Sequence, residues 1–261
     1  MFINKTWIFF KMVLYLIGLG LADKKDISVK GLEIIRKCDL IYLENYTSLF
    51  QSTKEELEEF YGKKIILAPR ELMEEGAGHI VEEAKDKDVA VLIIGDPFSA
   101  TTHIEFIKNA FYMGVKIEII NNASILTAVG ITGLQLYKFG KITSIPFNNP
   151  NLETPYEVVK MNKKNGLHSL LLLDLKPEQN RFMAIDEAIE ILETIEKKKK
   201  ENIICSDLLV VGCARLGSKD FLIKAGKLKE IKEFDFGKPL HCLIIPGELH
   251  FTEKDVLGLY H

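Results

Sequence analysis

The sequence predicts an α/β protein, and three observations carry that prediction. Short apolar runs rich in β-branched residues recur at Val13 to Ile17, Asp39 to Leu43, Val89 to Ile94 and Val115 to Ile120. Runs of this kind read as strands buried on both faces, as in a parallel sheet. Helical patterns alternate with them, which argues for βαβ units. The rhythm then restarts around residues 120–124, so the 261 residues are expected to form two domains, 12–121 and 122–261.

Composition narrows the class. The chain is 47% hydrophobic and 27% charged, as ordinary globular proteins are. A net charge of −3 gives no global drive toward nucleic acid. Cys38, Cys205, Cys213 and Cys242 show no metal-binding spacing and read as buried thiols of a reducing compartment. The apolar stretch from Trp7 to Ala22 is interrupted by Lys11 and is short for a bilayer span. Met12 reads as the functional start, with residues 1–11 an N-terminal extension, and the expected location is cytoplasmic.

The elements follow in order. Val13 to Ile17 is a strand closed by Gly18-Leu19-Gly20-Leu21. This Gly-x-Gly lacks the third glycine of a dinucleotide fingerprint, because Asp23 stands there, and a tight turn that lets the backbone approach something explains it better. Ser28 begins a helix carrying Leu32 and Ile35, and Asp39 to Leu43 is a strand. Thr53 and Glu56 form a capping box for a helix stopped by Gly62. Lys64 to Leu67 is a strand, and Gly78 to Asp86 a helix. The strand from Val89 runs into Gly95-Asp96-Pro97, where Asp96 sits where open α/β sheets place ligand-binding groups. A plain Asp-Pro turn remains an equal reading. Thr102 to Met113 is helical with Gly114 as its stop, and Val115 to Ile120 is a strand.

In the second half a helix-like stretch reaches Gly140, where Ser124 serves as N-cap, and Ile142 to Ile145 is a strand. Thr154-Pro155-Tyr156-Glu157 reads as a capping box with proline at the first helical position, and Gly166 ends that helix. Ser169 to Leu175 is a strand. Ile185, Ala188, Ile189, Leu192 and Ile195 form a core-facing helical stripe, with Lys197 to Lys200 at its dipole-favoured end. Leu208 to Val211 and Leu240 to Ile245 are strands, separated by Gly212 to Gly217 and a polar connection.

No nucleophile elbow, P-loop or metal-ligand cluster is visible. Polar candidates lie instead at strand ends: Asp96, Thr101, Thr102, Ser124, Asp174, Arg215 and His241. A cleft with few ionisable groups suits a cofactor that arrives already activated, so that transfer needs mainly orientation.

Several segments occur in order: GLGL (Gly18 to Leu21), YLENYTS (Tyr42 to Ser48), GDPFSATTH (Gly95 to His103), NASI (Asn122 to Ile125) and GLQLYKFG (Gly133 to Gly140). NGLHSLLLLDLK (Asn165 to Lys176), VGCARLGS (Val211 to Ser218) and DFGKPLHCLIIPG (Asp235 to Gly247) follow. From Met12 to about His261 the chain resembles the diphthine synthases, methyltransferases of diphthamide biosynthesis within the tetrapyrrole-methylase superfamily. GDPF alone marks only the superfamily; YLENYTS, GDPFSATTH and GLQLYKFG together point to the diphthamide enzymes.

The resemblance implies a two-domain class III methyltransferase with a mostly parallel N-terminal sheet and a mixed C-terminal sheet. It implies S-adenosyl-L-methionine in the cleft between the domains, leaving as S-adenosyl-L-homocysteine, and a homodimer. The implied substrate is elongation factor 2 carrying a 3-amino-3-carboxypropyl group on a histidine, methylated three times on its amine. The eukaryotic version adds a fourth transfer, to the carboxylate. Here GLQLYKFG has eukaryotic wording while the segment after Asp174 is short, as in archaeal members, so the count stays open. No direct nucleic-acid or membrane partner is implied.

By matching motif, the cofactor-binding positions are Leu21, Asp96, Ser99, Ser124, Ile125, Leu173, Leu216 and His241. The leucines would pack on adenine or ribose while their main chain hydrogen-bonds, Ser99 would act through its backbone, and Asp96 would face the cofactor's positive charge. Tyr46 and Phe98 are candidates for an aromatic lining around a quaternary ammonium, with core or loop packing the competing reading. No catalytic residue and no metal is assigned. Two alternatives stay open: a methylase of a corrin or sirohaem precursor, and a non-catalytic nucleotide-binding partner of the translation machinery.

Overall fold

The structure is a computed structural model and describes residues 12–261 apart from 47, 100, 102, 150 and 151. The expected extension 1–11 and the candidate Thr102 lie outside the described residues. Contacts divide the chain into two compact units, Met1–Ile125 and Leu126–His261.

The first unit runs β1 (Val13–Gly18), α1 (Val29–Ile35), β2 (Leu40–Glu44), α2 (Lys54–Tyr61), β3 (Ile66–Ala68), α3 (Arg70–Glu74), α4 (Ala77–Glu83), β4 (Val89–Ile93), α5 (Ile104–Met113) and β5 (Lys116–Ile120). Its five strands are all parallel, in the order β3-β2-β4-β1-β5. Every residue of β4 is buried, as its unbroken apolar run requires. Val89, Val91 and Ile93 face one core layer with Ile80 and Val81 of α4, which precedes the strand, and Phe106 of α5, which follows it. Ala90 and Leu92 face the opposite layer with Ile35, Leu57 and Tyr61. Helix starts follow local chemistry: Ser28 accepts from Gly31 N, and the Thr53–Glu56 capping box forms with Gly62 left-handed at the far end. The helix expected from Gly78 to Asp86 stops at Glu83, and Pro69-Arg70-Glu71 opens a helix of its own.

The second unit continues with α6 (Ile125–Ala128), β6 (Thr143–Ile145), α7 (Thr154–Lys164), β7 (Ser169–Leu173), β8 (Leu175–Lys176), β9 (Arg181–Phe182), α8 (Ile185–Lys199), β10 (Leu209–Ala214), β11 (Leu222–Lys227), α9 (Leu228–Lys232), β12 (His241–Ile245) and α10 (Phe251–Leu257). Its main sheet is mixed, in the order β11-β10-β12-β7-β6, with only β6 and β7 parallel. The stripe Ile185, Ala188, Ile189, Leu192 and Ile195 is buried in its core.

Several expectations need correction here. Ser169 to Leu175 is not one strand: Asp174 accepts from Phe147 N and Leu175 N, both at 2.9 Å, and turns the chain into the small β8–β9 hairpin. The loop expected from Gly212 begins only after Ala214. Gly212 lies inside β10, paired with Lys224 and Leu243, and is glycine there because a Cβ would meet the Phe236 ring at 2.1 Å. The polar connection beyond it holds β11 and α9. Thr154 does not cap α7; Glu153 is the N-cap residue, and Glu157 pairs instead with Lys199 at 2.8 Å. The helical stretch toward Gly140 breaks into α6 and two 3₁₀ turns, where the Thr132 hydroxyl bonds Val129 O and Gly133 turns left-handed.

Candidate functional site

In the first unit the candidates gather at the carboxyl ends of β1, β4 and β5, three adjacent strands. The loops there are tied to each other by the backbone itself. Gly20 and Gly95 exchange both peptide hydrogen bonds, Gly20 N to Gly95 O at 3.2 Å and Gly95 N to Gly20 O at 2.7 Å. A side chain at Gly18 would strike Gly95 O at 2.6 Å and the Asn122 Cβ at 2.8 Å. The Gly-x-Gly signal therefore reflects the close approach of one loop to two others.

Asp96 is the knot of this loop cluster. One carboxylate oxygen accepts from Phe98 N at 3.0 Å and the Ser99 hydroxyl at 3.3 Å; the other accepts from Asn121 Nδ2 at 2.9 Å and Asn122 N at 3.2 Å. Burial raises its pKa, but these four donors outweigh it and hold the carboxyl below the usual range. The contacts shown are those of the turn reading: Asp96 spends both carboxylate oxygens on the protein's own loop donors. Leu21 N and Ala22 N are held by Asp26 Oδ2, and Asn122 Nδ2 donates to Gly18 O and Asp26 O. Ser124 is buried directly before α6, with Ile125 half-buried beside it. Thr101 bonds Pro97 O at 3.0 Å.

In the second unit Leu173, Leu216 and His241 meet at one end of the mixed sheet. Leu173 closes β7, Ala214 pairs with His241 across β10 and β12, and Leu216 lies two residues beyond Ala214. Arg215 adopts a left-handed backbone (φ 51°) and donates to Phe236 O at 2.9 Å, to Lys238 O, and to Asp220 O at 3.2 and 3.0 Å, fixing the loop before β12. His241 Nε2 lies 3.0 Å from Lys238 O. A carbonyl only accepts, so Nε2 carries the proton and Nδ1, buried without a hydrogen-bond partner among the described residues, presents a lone pair. Burial keeps this imidazole below its usual pKa and therefore neutral. Asp174 and Arg215 act as scaffold in this unit.

The aromatic candidates fare differently. Phe98 is half-buried against the core, and Tyr46 is 7% exposed with the Arg70 guanidinium 5.0 Å over its ring. Sequence reasoning missed Asp26 and Asn122, whose roles rest on contacts with distant backbone that no motif spacing encodes.

Two features fit a nucleoside cofactor with a charged tail. Gly95 is left-handed, and a Cβ on it would meet nothing nearer than Ala123 O at 3.8 Å, which leaves an open backbone face. The orphaned Nδ1 of His241 offers an acceptor for a ligand N–H or O–H.

The chain belongs to the family of tetrapyrrole (corrin/porphyrin) methylases, whose family model matches residues 13–232; it is a methyltransferase. Within that family its relatives are diphthine synthases. It is 48% identical over 250 residues to the diphthine synthase of Methanocaldococcus jannaschii, covering 94% of this chain and 97% of the relative. It is 43% identical over 270 residues to the diphthine methyl ester synthase of Homo sapiens, covering 95% of each. A crystal structure of a diphthine synthase superposes with a TM-score of 0.87 at 41% identity, covering 95% of both chains.

Proposed function

We propose that the chain transfers methyl groups from S-adenosyl-L-methionine to the 3-amino-3-carboxypropyl-histidine of elongation factor 2, in diphthamide biosynthesis. The observation that carries this reading is the near-complete likeness to diphthine synthases in both family and fold. The strand-end residues support it. Leu21, Asp96, Ser99, Ser124 and Ile125 from one unit, and Leu173, Leu216 and His241 from the other, are the proposed cofactor-binding set. When bound, the cofactor supplies an electrophilic methyl group on a sulfonium, so the protein needs neither metal nor covalent nucleophile.

The chain's own residues then bind and orient. Asp96 fixes the loops after β4 and β5 and would offer its negative charge to the cofactor's sulfonium. The open face of Gly95 admits close backbone approach. His241 accepts a ligand hydrogen bond through Nδ1, and Arg215 holds the loop that positions it. In-line orientation of this kind supplies much of the barrier reduction in group transfer. The proposed assembly is a cytoplasmic homodimer. No described helix is long and apolar enough to cross a membrane.

The test incubates the protein with labelled S-adenosyl-L-methionine and elongation factor 2 from cells lacking this step, followed by intact-mass analysis. A mass gain of three or four methyl groups is expected and reads the count directly. No gain on that substrate overturns the reading. Methylation of a corrin or sirohaem precursor instead would transfer it to the small-molecule branch of the family.

A further inference from the structure

The Gly18-Leu19-Gly20 turn after β1 has the outline of a nucleotide-phosphate loop. In dinucleotide-binding sheets such a turn brings backbone N–H groups against a pyrophosphate, and its second glycine lets the backbone come close. Here the chain itself takes up both features. Leu21 N and Ala22 N, the two amides after Gly20, donate to a single oxygen, Asp26 Oδ2, at 3.1 and 2.7 Å. A Cβ on Gly20 would lie 2.5 Å from the Asp26 Cβ and 3.2 Å from Oδ2, so the second glycine makes room for this side chain. A carboxylate oxygen thus stands on the pair of amides where a phosphate oxygen would stand.

The carboxylate is held in place by the backbone around it. Asp26 N donates to Asp23 O at 2.9 Å, and Asp26 O accepts from Asn122 Nδ2 at 3.0 Å. Asn122 N donates in turn to Asp96 Oδ2 at 3.2 Å, so one residue after β5 ties the two acidic loops together. The loop is also fastened at its rim, where Lys24 N bonds the Ser52 hydroxyl at 3.0 Å and Gln51 N bonds Ala22 O at 2.9 Å. Asp26 is half-buried, and among the described residues no lysine or arginine forms an ion pair with it. The start of α1 behind the loop is served by the Ser28 hydroxyl, which accepts from Gly31 N at 3.1 Å.

Resting on the reading above, in which the cofactor is S-adenosyl-L-methionine, we propose that Asp26 is a specificity residue that makes this loop reject phosphorylated nucleotides. The two ligand classes share adenosine and differ at its 5′ carbon, which bears a sulfonium in the cofactor and a phosphate in a nucleotide. A phosphate would have to displace Asp26 from Leu21 N and Ala22 N, and it would meet the negative charges of Asp26 and Asp96. A sulfonium has no use for either amide and is attracted by both carboxylates. The built-in anion therefore separates the classes by the sign of one substituent, through a penalty on the wrong ligand as well as a gain for the right one.

The experiment measures, by calorimetry, the binding of S-adenosyl-L-methionine, S-adenosyl-L-homocysteine and adenosine 5′-diphosphate to the wild type, Asp26→Asn and Asp26→Ala. Asp26→Asn keeps a side-chain oxygen for the two amides and removes the charge. Asp26→Ala frees the amides and the space beside Gly20. S-adenosyl-L-homocysteine, neutral at its sulfur, is the reference. The wild type is expected to bind the diphosphate far more weakly than this reference. In Asp26→Ala, the affinity for the diphosphate relative to the reference should rise about 10-fold or more, and in Asp26→Asn by a smaller factor. A loop that merely loosens weakens both ligands and leaves the ratio where it was, so an unchanged ratio in both variants overturns the proposal. A wild type that binds the diphosphate as tightly as the reference overturns it too. If the wild type binds neither S-adenosyl compound, the cofactor reading itself fails, an outcome seen before any variant is made.

Discussion

His168 Nε2 donates to Glu253 Oε1 at 2.9 Å, because its other ring nitrogen is already committed as acceptor of Gly247 N at 2.9 Å. Both side chains are fully buried. Glu253 also accepts from Gln135 N at 2.9 Å, His250 N at 2.8 Å and Lys138 Nζ at 2.6 Å. One carboxylate thus fastens the last helix, α10, to the GLQLYKFG segment and to the start of β7. Glu253→Ala leaves the buried His168 Nε2–H without its acceptor and takes one from the half-buried Gln135 N–H, and a loss of about 1–3 kcal/mol is expected from such an unsatisfied buried donor. The midpoint of a urea unfolding curve checks it.

The same carboxylate predicts an acid limb. Burial raises the Glu253 pKa, but Lys138, the two backbone donors and His168 outweigh it and bring it down to about 2. A carboxylate depressed in the fold contributes stability above its unfolded pKa, and that stability is lost as pH falls through the folded value. His168 is also depressed, chiefly by burial, so it resists the charge that acid would place on it. Unfolding free energy should therefore decline from about pH 6.5 downward, with Glu253 accounting for about 3 kcal/mol between roughly pH 4.5 and 2. Glu253→Gln should flatten the lower part of this curve in a pH series of thermal melts.

Asp96→Ala removes the acceptor for four donors in two loops. Cofactor affinity measured by calorimetry should fall at least ~10-fold, equivalent to about 1.4 kcal/mol. Unchanged affinity would remove Asp96 from the binding set.

Gly212→Ala places a methyl group against the Phe236 ring, which in turn lies 6.0 Å from the His241 ring, centroid to centroid. Overpacking of this kind costs about 1–3 kcal/mol. The thermal midpoint should drop, and cofactor affinity should weaken with it as a displaced Phe236 disturbs His241 at the head of β12.

Much of this fold is legible in the sequence. The buried run of β4, the Thr53–Glu56 box and the stripe of α8 are local patterns, and local physics fixes them. What was illegible depends on distant partners. Gly212 reads as a loop residue until Phe236, far along the chain, occupies the space its side chain would need. Asp174 looks like an ordinary strand terminus, yet its carboxylate is claimed by Phe147 N and turns the chain aside. Thr154 carries a capping sequence, yet α7 starts one residue earlier than that sequence implies: Glu157 N bonds Glu153 O, and the Glu157 carboxylate pairs with the distant Lys199. Among candidate site residues, strand-end position selected Asp96 and His241. Bare nitrogens such as His241 Nδ1 have no sequence signature, since a missing hydrogen bond is a property of the packed state.

The mutual bridge between Gly20 and Gly95 bears on how the chain comes off the ribosome. The loop after the first strand has no local partner for its two peptide groups, and closing a long stretch of chain carries an entropic cost before any contact rewards it. During synthesis that loop stays unfinished until Gly95 has emerged, and Gly18 O waits longer still for the Asn122 amide. The opening motif of the protein is therefore among the last pieces of its own domain to be completed.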